Sequence, residues 1–170
     1  MSAAKPSTFA DAVVPLLDPA ARTRIGNLAL RFDTPALLAQ ELVRRGSLTP
    51  YQAKAALEGR AESLLFANYV ILNQIGEGGM GQVYKARQRN LGRIVALKVL
   101  RQECLANVKM VKRFRREIEI LGALRPSPHI VRAIDSDLWN EQYYIVMECI
   151  DGHDLARRVK RHGPLPVVDA

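Results

Sequence analysis

Apolar and polar positions change rhythm along this chain, and each change marks an element. Over residues 93–100 the period is two, with Ile94, Ala96, Lys98 and Leu100 on one face of a predicted strand and Val95, Leu97 and Val99 on the other. The stretches Tyr69-Val70-Ile71-Leu72-Asn73-Gln74-Ile75 and Gln82-Val83-Tyr84-Lys85-Ala86-Arg87 also read as strands, being rich in β-branched and aromatic residues. Asn90-Leu91-Gly92 supplies the turn into the strand that follows. Over residues 108–124 the period lengthens to that of a helix: Val111, Phe114, Ile118 and Leu121 form an apolar stripe, with Lys112, Arg115, Arg116 and Glu119 on the solvated side.

Ahead of the strands the pattern is less regular. Residues 1–33 mix Pro6, Pro15 and Pro19 with alanines and charges, and their apolar runs break at Asp11, Pro15 and Asp18. They predict a flexible leader and lack the apolar core of a signal peptide. Thr34-Pro35 reads as N-cap and first residue of a helix that runs through Leu38 and Leu42 and stops at Gly46. Thr49-Pro50-Tyr51-Gln52 repeats the signal, with a capping-box glutamine at the third position after the threonine, and opens a second helix to about Gly59. Residues 34–66 therefore predict a helical hairpin, too small to fold alone and packed beside a domain over residues 67–170.

The candidate chemistry lies where strands meet glycine. Gly76-Glu77-Gly78-Gly79-Met80-Gly81-Gln82-Val83 joins two strands, and its bare backbone lets N–H groups approach a polyphosphate with no Cβ in the way. A Walker A loop would need Lys and then Ser or Thr where this chain has Gln82 and Val83, and a Rossmann fingerprint would need a helix where a strand follows. Lys98 points the same way as small Ala96, which leaves room for a flat base while the lysine reaches the phosphates of the same ligand. An ammonium facing a semi-buried site needs a counter-charge. Glu117, on the inward edge of the helical stripe, is the candidate; its other option is a helix neighbour such as Arg113, a pairing worth about 0.2–0.5 kcal/mol.

In this order, these residues resemble the amino-terminal lobe of bacterial serine/threonine protein kinases of the eukaryotic-like type. The resemblance covers residues 69–166, through G-x-G-x-x-G-x-V at Gly76 to Val83, Val-Ala-x-Lys ending at Lys98, and Phe114-Arg115-Arg116-Glu117. Pro128-His129-Ile130-Val131 resembles the family's turn from its C-helix into the fourth strand, and Tyr143-Tyr144-Ile145-Val146-Met147-Glu148 its fifth strand running into the hinge. The resemblance implies an α+β fold: a kinase small lobe of five antiparallel strands and a C-helix. The preceding hairpin is similar to a short helical leader found before some bacterial kinase domains. ATP with magnesium is the implied cofactor, covered by a flap of Ile75, Gly76, Glu77, Gly78, Gly79, Met80, Gly81, Gln82 and Val83. Ile75, Val83 and Ala96 would line the adenine pocket, Lys98 would meet the α- and β-phosphates, and Glu117 would orient it. By the same resemblance Met147 is the gatekeeper behind the base, the backbone of Glu148 and Ile150 bonds its edge, and Asp154 can meet the ribose hydroxyls.

Phosphoryl transfer in that family also needs H-R-D-x-x-x-x-N and D-F-G, whose aspartates take the substrate proton and hold magnesium. Neither motif occurs in these 170 residues, nor does A-P-E; His153-Asp154-Leu155 echoes the first but follows the hinge directly and lacks the asparagine. The expectation is half an active site, inactive alone, with no catalytic residue or metal ligand of its own. Its apolar inner face would be left for a large lobe or for self-association. Two functions remain: an ATP-dependent serine/threonine kinase of protein substrates that works with its large lobe, or a non-catalytic module that binds a nucleotide or another kinase.

Charge and cysteine change this picture little. The formal net charge is +8, with Lys109, Lys112, Arg113 and Arg116 on one helix face and a second cluster at Arg157-Arg158-Val159-Lys160-Arg161. No recognition helix, zinc spacing or aromatic platform accompanies them, so nucleic acid is not an expected partner. Cys104 and Cys149 form no C-x-x-C pair and no metal set with His129, His153 and His162, which fits reduced thiols in a cytoplasm. No run reaches membrane-spanning length.

Overall fold

A computed structural model of the chain describes residues 6–125, 127–152 and 154–164, in which two helical layers enclose one sheet. The amino-terminal layer consists of α1 (Pro6–Val13), a 3₁₀ turn at Val14–Leu16, α2 (Pro19–Ala29), α3 (Pro35–Arg44), α4 (Pro50–Leu57) and a second 3₁₀ turn at Ala61–Leu64. Caps explain three of the starts. Asp18, Thr34 and Thr49 each stand one residue before a proline, and their side chains accept from the N–H groups of Ala21, Leu37 and Gln52. At α4 the box is reciprocal, since Gln52 Oε1 accepts in turn from Thr49 N at 2.9 Å.

The expectation of a flexible stretch over residues 1–33 is corrected over its described part. Asp18-Pro19 is a helix start rather than a break, and Phe9, Val13, Leu16, Leu17, Ile25 and Leu28 are buried. Residues 1–5 and 165–170, Pro126 and His153 lie outside the described residues, and with them the last positions of the kinase resemblance.

The strands follow: β1 (Leu65–Phe66), β2 (Tyr69–Glu77), β3 (Gly81–Gln88) and β4 (Ile94–Leu100). Then come α5 (Gln102–Leu105), α6 (Val108–Ala123), β5 (Ala133–Trp139), β6 (Gln142–Glu148) and α7 (Leu155–His162). All pairs are antiparallel, in the order β1-β2-β3-β4-β6-β5. Among the described residues the sheet thus has six strands rather than the expected five. The additional one, β1, pairs only Leu65 with Val70 and Phe66 with Tyr69 across a turn at Ala67, and a strand of two residues is too short to display a period.

Register sorts the side chains into two faces, because directly opposed residues of an antiparallel pair lie on the same side. Val83, Lys98 and Ile145 form one row, and Lys85, Ala96 and Met147 the next, on what we call the inner face. Rows of Tyr84, Leu97 and Val146, and of Gln82, Val99 and Tyr144, form the outer face. The amino-terminal helices cover the outer face with one continuous core that joins Phe9, Val13, Leu16, Leu38, Leu42 and Leu64 to Val95, Leu97 and Val146. Phe66 closes its edge against Trp139 and Tyr144, with ring centroids 4.7 and 5.3 Å away. The inner face carries α6 on a smaller core of Leu100, Phe114 and Ile145, ringed by Val111, Ile118, Leu121 and Met147.

Candidate functional site

β4 and α6 deliver two opposite charges to one point on the inner face. Lys98 Nζ donates to Glu117 Oε1 at 2.5 Å and stands 5.9 Å from the centre of the Phe114 ring. The two side chains are 20% and 32% exposed, so the pair is shielded by protein on one side and open on the other. An ammonium has three donors, so further protons remain for an incoming anion. Two features hold α6 for this contact. Asn107 caps it by accepting from Lys109 N and Met110 N, and fully buried Phe114, one turn before Glu117, anchors it to the sheet.

The glycine loop arches between β2 and β3 on the same side. Gly78 N donates to Gly81 O at 2.9 Å, Arg101 N donates to Met80 O at 3.1 Å, and the Met80 side chain packs on the small inner core. Protein packing demands only one of these glycines. A Cβ on Gly81 would lie 2.6 Å from the Val99 carbonyl oxygen, whereas one on Gly76 would make ordinary contact with Val83 and one on Gly78 or Gly79 would meet nothing within 4 Å. The space over Gly78 and Gly79 is therefore open. Val83, Ala96 and Met147 share the face with Lys98, and Ile75, at the second register shift of β2, is 47% exposed beside Gly76.

The protein kinase domain family matches residues 69–170. This chain belongs to the protein kinase family. It is 40% identical over 103 residues to the probable serine/threonine-protein kinase CPE1738 of Clostridium perfringens, a match covering 61% of this chain and 15% of that protein. It is 39% identical over 104 residues to the serine/threonine-protein kinase PknF of Mycobacterium tuberculosis, covering 61% and 22%. The crystal structure of the Mycobacterium tuberculosis PknI kinase domain superposes with a TM-score of 0.52 at 32% identity, over 62% of this chain and 43% of that one. The likeness confirms the α+β small-lobe fold. This kinase-family chain thus spans 15% and 22% of those two relatives' lengths, and its amino-terminal helices lie outside the matched residues.

Within this kinase small lobe, several residues singled out from the sequence have side chains committed elsewhere. The Glu77 carboxylate accepts from the Arg101 guanidinium and from Gln74 Nε2, and Gln82 Oε1 accepts from the Tyr84 hydroxyl on the outer face. Glu148 pairs with Val95, also on the outer face, and its carboxylate accepts from Arg132 N at 2.7 Å. For these three, only the backbone remains for a ligand beside Lys98. Asp154 caps α7, accepting from Arg157 N at 2.8 Å, and Ile150 is exposed in the segment after β6. Among the described residues, no three His, Cys, Asp or Glu side chains are grouped to hold a metal, and no helix is long and apolar enough to cross a membrane.

The residue that sequence reasoning missed is Arg101. It ties the loop from both sides, through Glu77 and through the Met80 carbonyl, and the Cys104 thiol adds a contact to Gly79 O at 3.8 Å. Arg101 stands one position past the end of β4, where the alternation stops and no spacing signal remains.

Proposed function

We propose that residues 69–164 hold ATP and supply the nucleotide half of a serine/threonine protein kinase active site. The carrying observation is the 2.5 Å Lys98–Glu117 pair, set on the same sheet face as Val83, Ala96 and Met147 and next to a glycine loop with open space at Gly78 and Gly79. Phosphoryl transfer depends mainly on positioning and on stabilising charge. Lys98 contributes the charge, meeting the α- and β-phosphates while Glu117 fixes the direction of its ammonium. The loop's N–H groups close over the phosphates, Ala96 leaves depth for a flat base between Ile75 and Val83, and Met147 bounds that depth. The backbone of Glu148 and Ile150 then bonds the edge of the base. Magnesium would supply charge neutralisation at the phosphates when bound; its ligands, like the base that takes the substrate proton, belong to motifs these 170 residues do not carry. Transfer to a protein serine or threonine is accordingly a property of an assembly that includes those motifs.

Titrating ATP into the purified 170-residue chain and following its melting temperature tests the reading. A modest rise is expected in the wild type and none in Lys98→Met or Gly78→Val; a wild-type curve unmoved at high nucleotide removes the ATP assignment. The second reading is a module that binds a nucleotide or another kinase without catalysis. With labelled ATP, the chain alone should transfer no phosphate to itself or to a basic protein. Transfer abolished by Lys98→Met would overturn that expectation.

A further inference from the structure

The amino-terminal helices reach the strand that leads into the glycine loop through polar bonds as well as apolar contact. Strand β2 carries a bulge: Ile71 pairs with Ala86 and Asn73 with Lys85, which leaves Leu72 out of the ladder. Both carbonyls at this bulge accept from the cap of α4. Gln52 Nε2 donates to Ile71 O at 2.8 Å, and Thr49 Oγ1 donates to Leu72 O at 2.5 Å. The same two side chains close the capping box, so the hydroxyl of Thr49 also accepts from Gln52 N at 3.1 Å. Gln52 is 1% exposed, the one buried polar side chain among the described residues.

That burial is not needed to start a helix. Thr34 caps α3 at an exposed site with no bond to the sheet, whereas burying an amide is unfavourable unless each of its groups finds a partner. The partners found here lie on β2, four and five residues before Gly76. The strand that leaves the loop is tied to the same layer, since Arg87 of β3 donates to the Leu16 carbonyl at 2.7 Å.

We propose that Thr49 and Gln52 are positioning residues of the nucleotide site. By clamping the β2 bulge they set the direction in which residues 73–77 approach the glycine loop, which makes the amino-terminal helices a working part of the small lobe rather than a passive leader. The proposal rests on reading the loop as the cover of a nucleotide.

The experiment compares Thr49→Val, Thr49→Ser and Thr34→Val in the full 170-residue chain, by amide hydrogen exchange and by ATP affinity. Thr49→Val removes the bond to Leu72 together with the cap bond from Gln52 N at nearly constant shape, Thr49→Ser keeps both, and Thr34→Val removes a cap bond of the same kind without touching the sheet. Faster exchange over residues 73–81 and about three- to tenfold weaker ATP binding are expected in Thr49→Val alone, the size of one lost hydrogen bond. Exchange and affinity like the wild type in Thr49→Val overturn the proposal, as does faster exchange with unchanged affinity, or the same loosening in Thr34→Val. If the wild type binds no ATP, the nucleotide reading falls and the proposal with it, while the exchange comparison still reports whether the clamp is there. Should Thr49→Val not fold, Gln52→Met, which removes the bond to Ile71, carries the same expectations.

Discussion

The two faces of the sheet share one backbone ladder and are built for different ends. On the outer face Val95, Leu97, Val99, Tyr144 and Val146 are sealed under helices that begin at Pro6. On the inner face the covered core among the described residues is small, built on Leu100, Phe114 and Ile145, and Lys98, Glu117 and Met147 beside it stay partly open. Burial of apolar area contributes roughly 25 cal/mol per Å², so stability is concentrated where packing is complete. A site that must admit a ligand cannot be filled in advance. Along β4 the division is made at single-residue resolution, with Leu97 facing the large core and Lys98 facing the site.

That division can be broken most directly at this pair. Leu97→Ala leaves a cavity in the large core and should cost about 2–5 kcal/mol in urea denaturation. Lys98→Met should change stability by less than about 1 kcal/mol, the scale of a partly solvated ion pair, while abolishing the ATP-induced rise in melting temperature. Equal losses at the two positions would mean that the faces are not energetically distinct. A smaller contrast lies within the glycine loop. Gly81→Ala drives a Cβ into the Val99 carbonyl and should cost about 1–3 kcal/mol. Gly78→Ala meets nothing, and its stability should stay within about 0.5 kcal/mol of the wild type. A destabilised Gly78→Ala would show that protein, not ligand, fills the space over the loop.

The inner face was the more legible of the two. The alternation in β4 and the helical stripe over Val111, Phe114, Ile118 and Leu121 put Lys98 and Glu117 each on an inward face, since both patterns are local and periodic, and the need of a semi-buried ammonium for a counter-charge suggested the pair that stands at 2.5 Å. Capping chemistry was legible for the same reason, and Thr34 and Thr49 stand where their sequence signals put them. The outer face was obscured because its cover comes from residues 6–64, where Pro15, Asp18 and Pro19 look like interruptions. Asp18 is a cap and Pro19 the first residue of α2, while Pro15 sits in a 3₁₀ turn between helices that pack on a sheet distant in sequence. Nothing periodic announces such packing, nor the bulge at Leu72 to which Gln52 is matched, nor the reach of Arg101 back to Glu77.

The smallest difference between the faces vanishes at neutral pH. Burial pushes the Tyr144 hydroxyl from 10.0 up to about 12, with Asp137 adding to the shift, and burial likewise raises Tyr69 and Tyr84. Tyr144 and Tyr69 belong to the outer core and Tyr84 packs against it. A raised acid pKa means that the folded chain keeps a proton that the unfolded chain releases. The associated stability is complete below the unfolded value of 10.0 and is lost as pH climbs through that value towards about 12. Denaturation midpoints should therefore fall above about pH 10, and Tyr144→Phe, which cannot ionise, should flatten part of the fall. A decline of the same steepness in Tyr144→Phe would place that phenol in contact with water and the outer core open along β6.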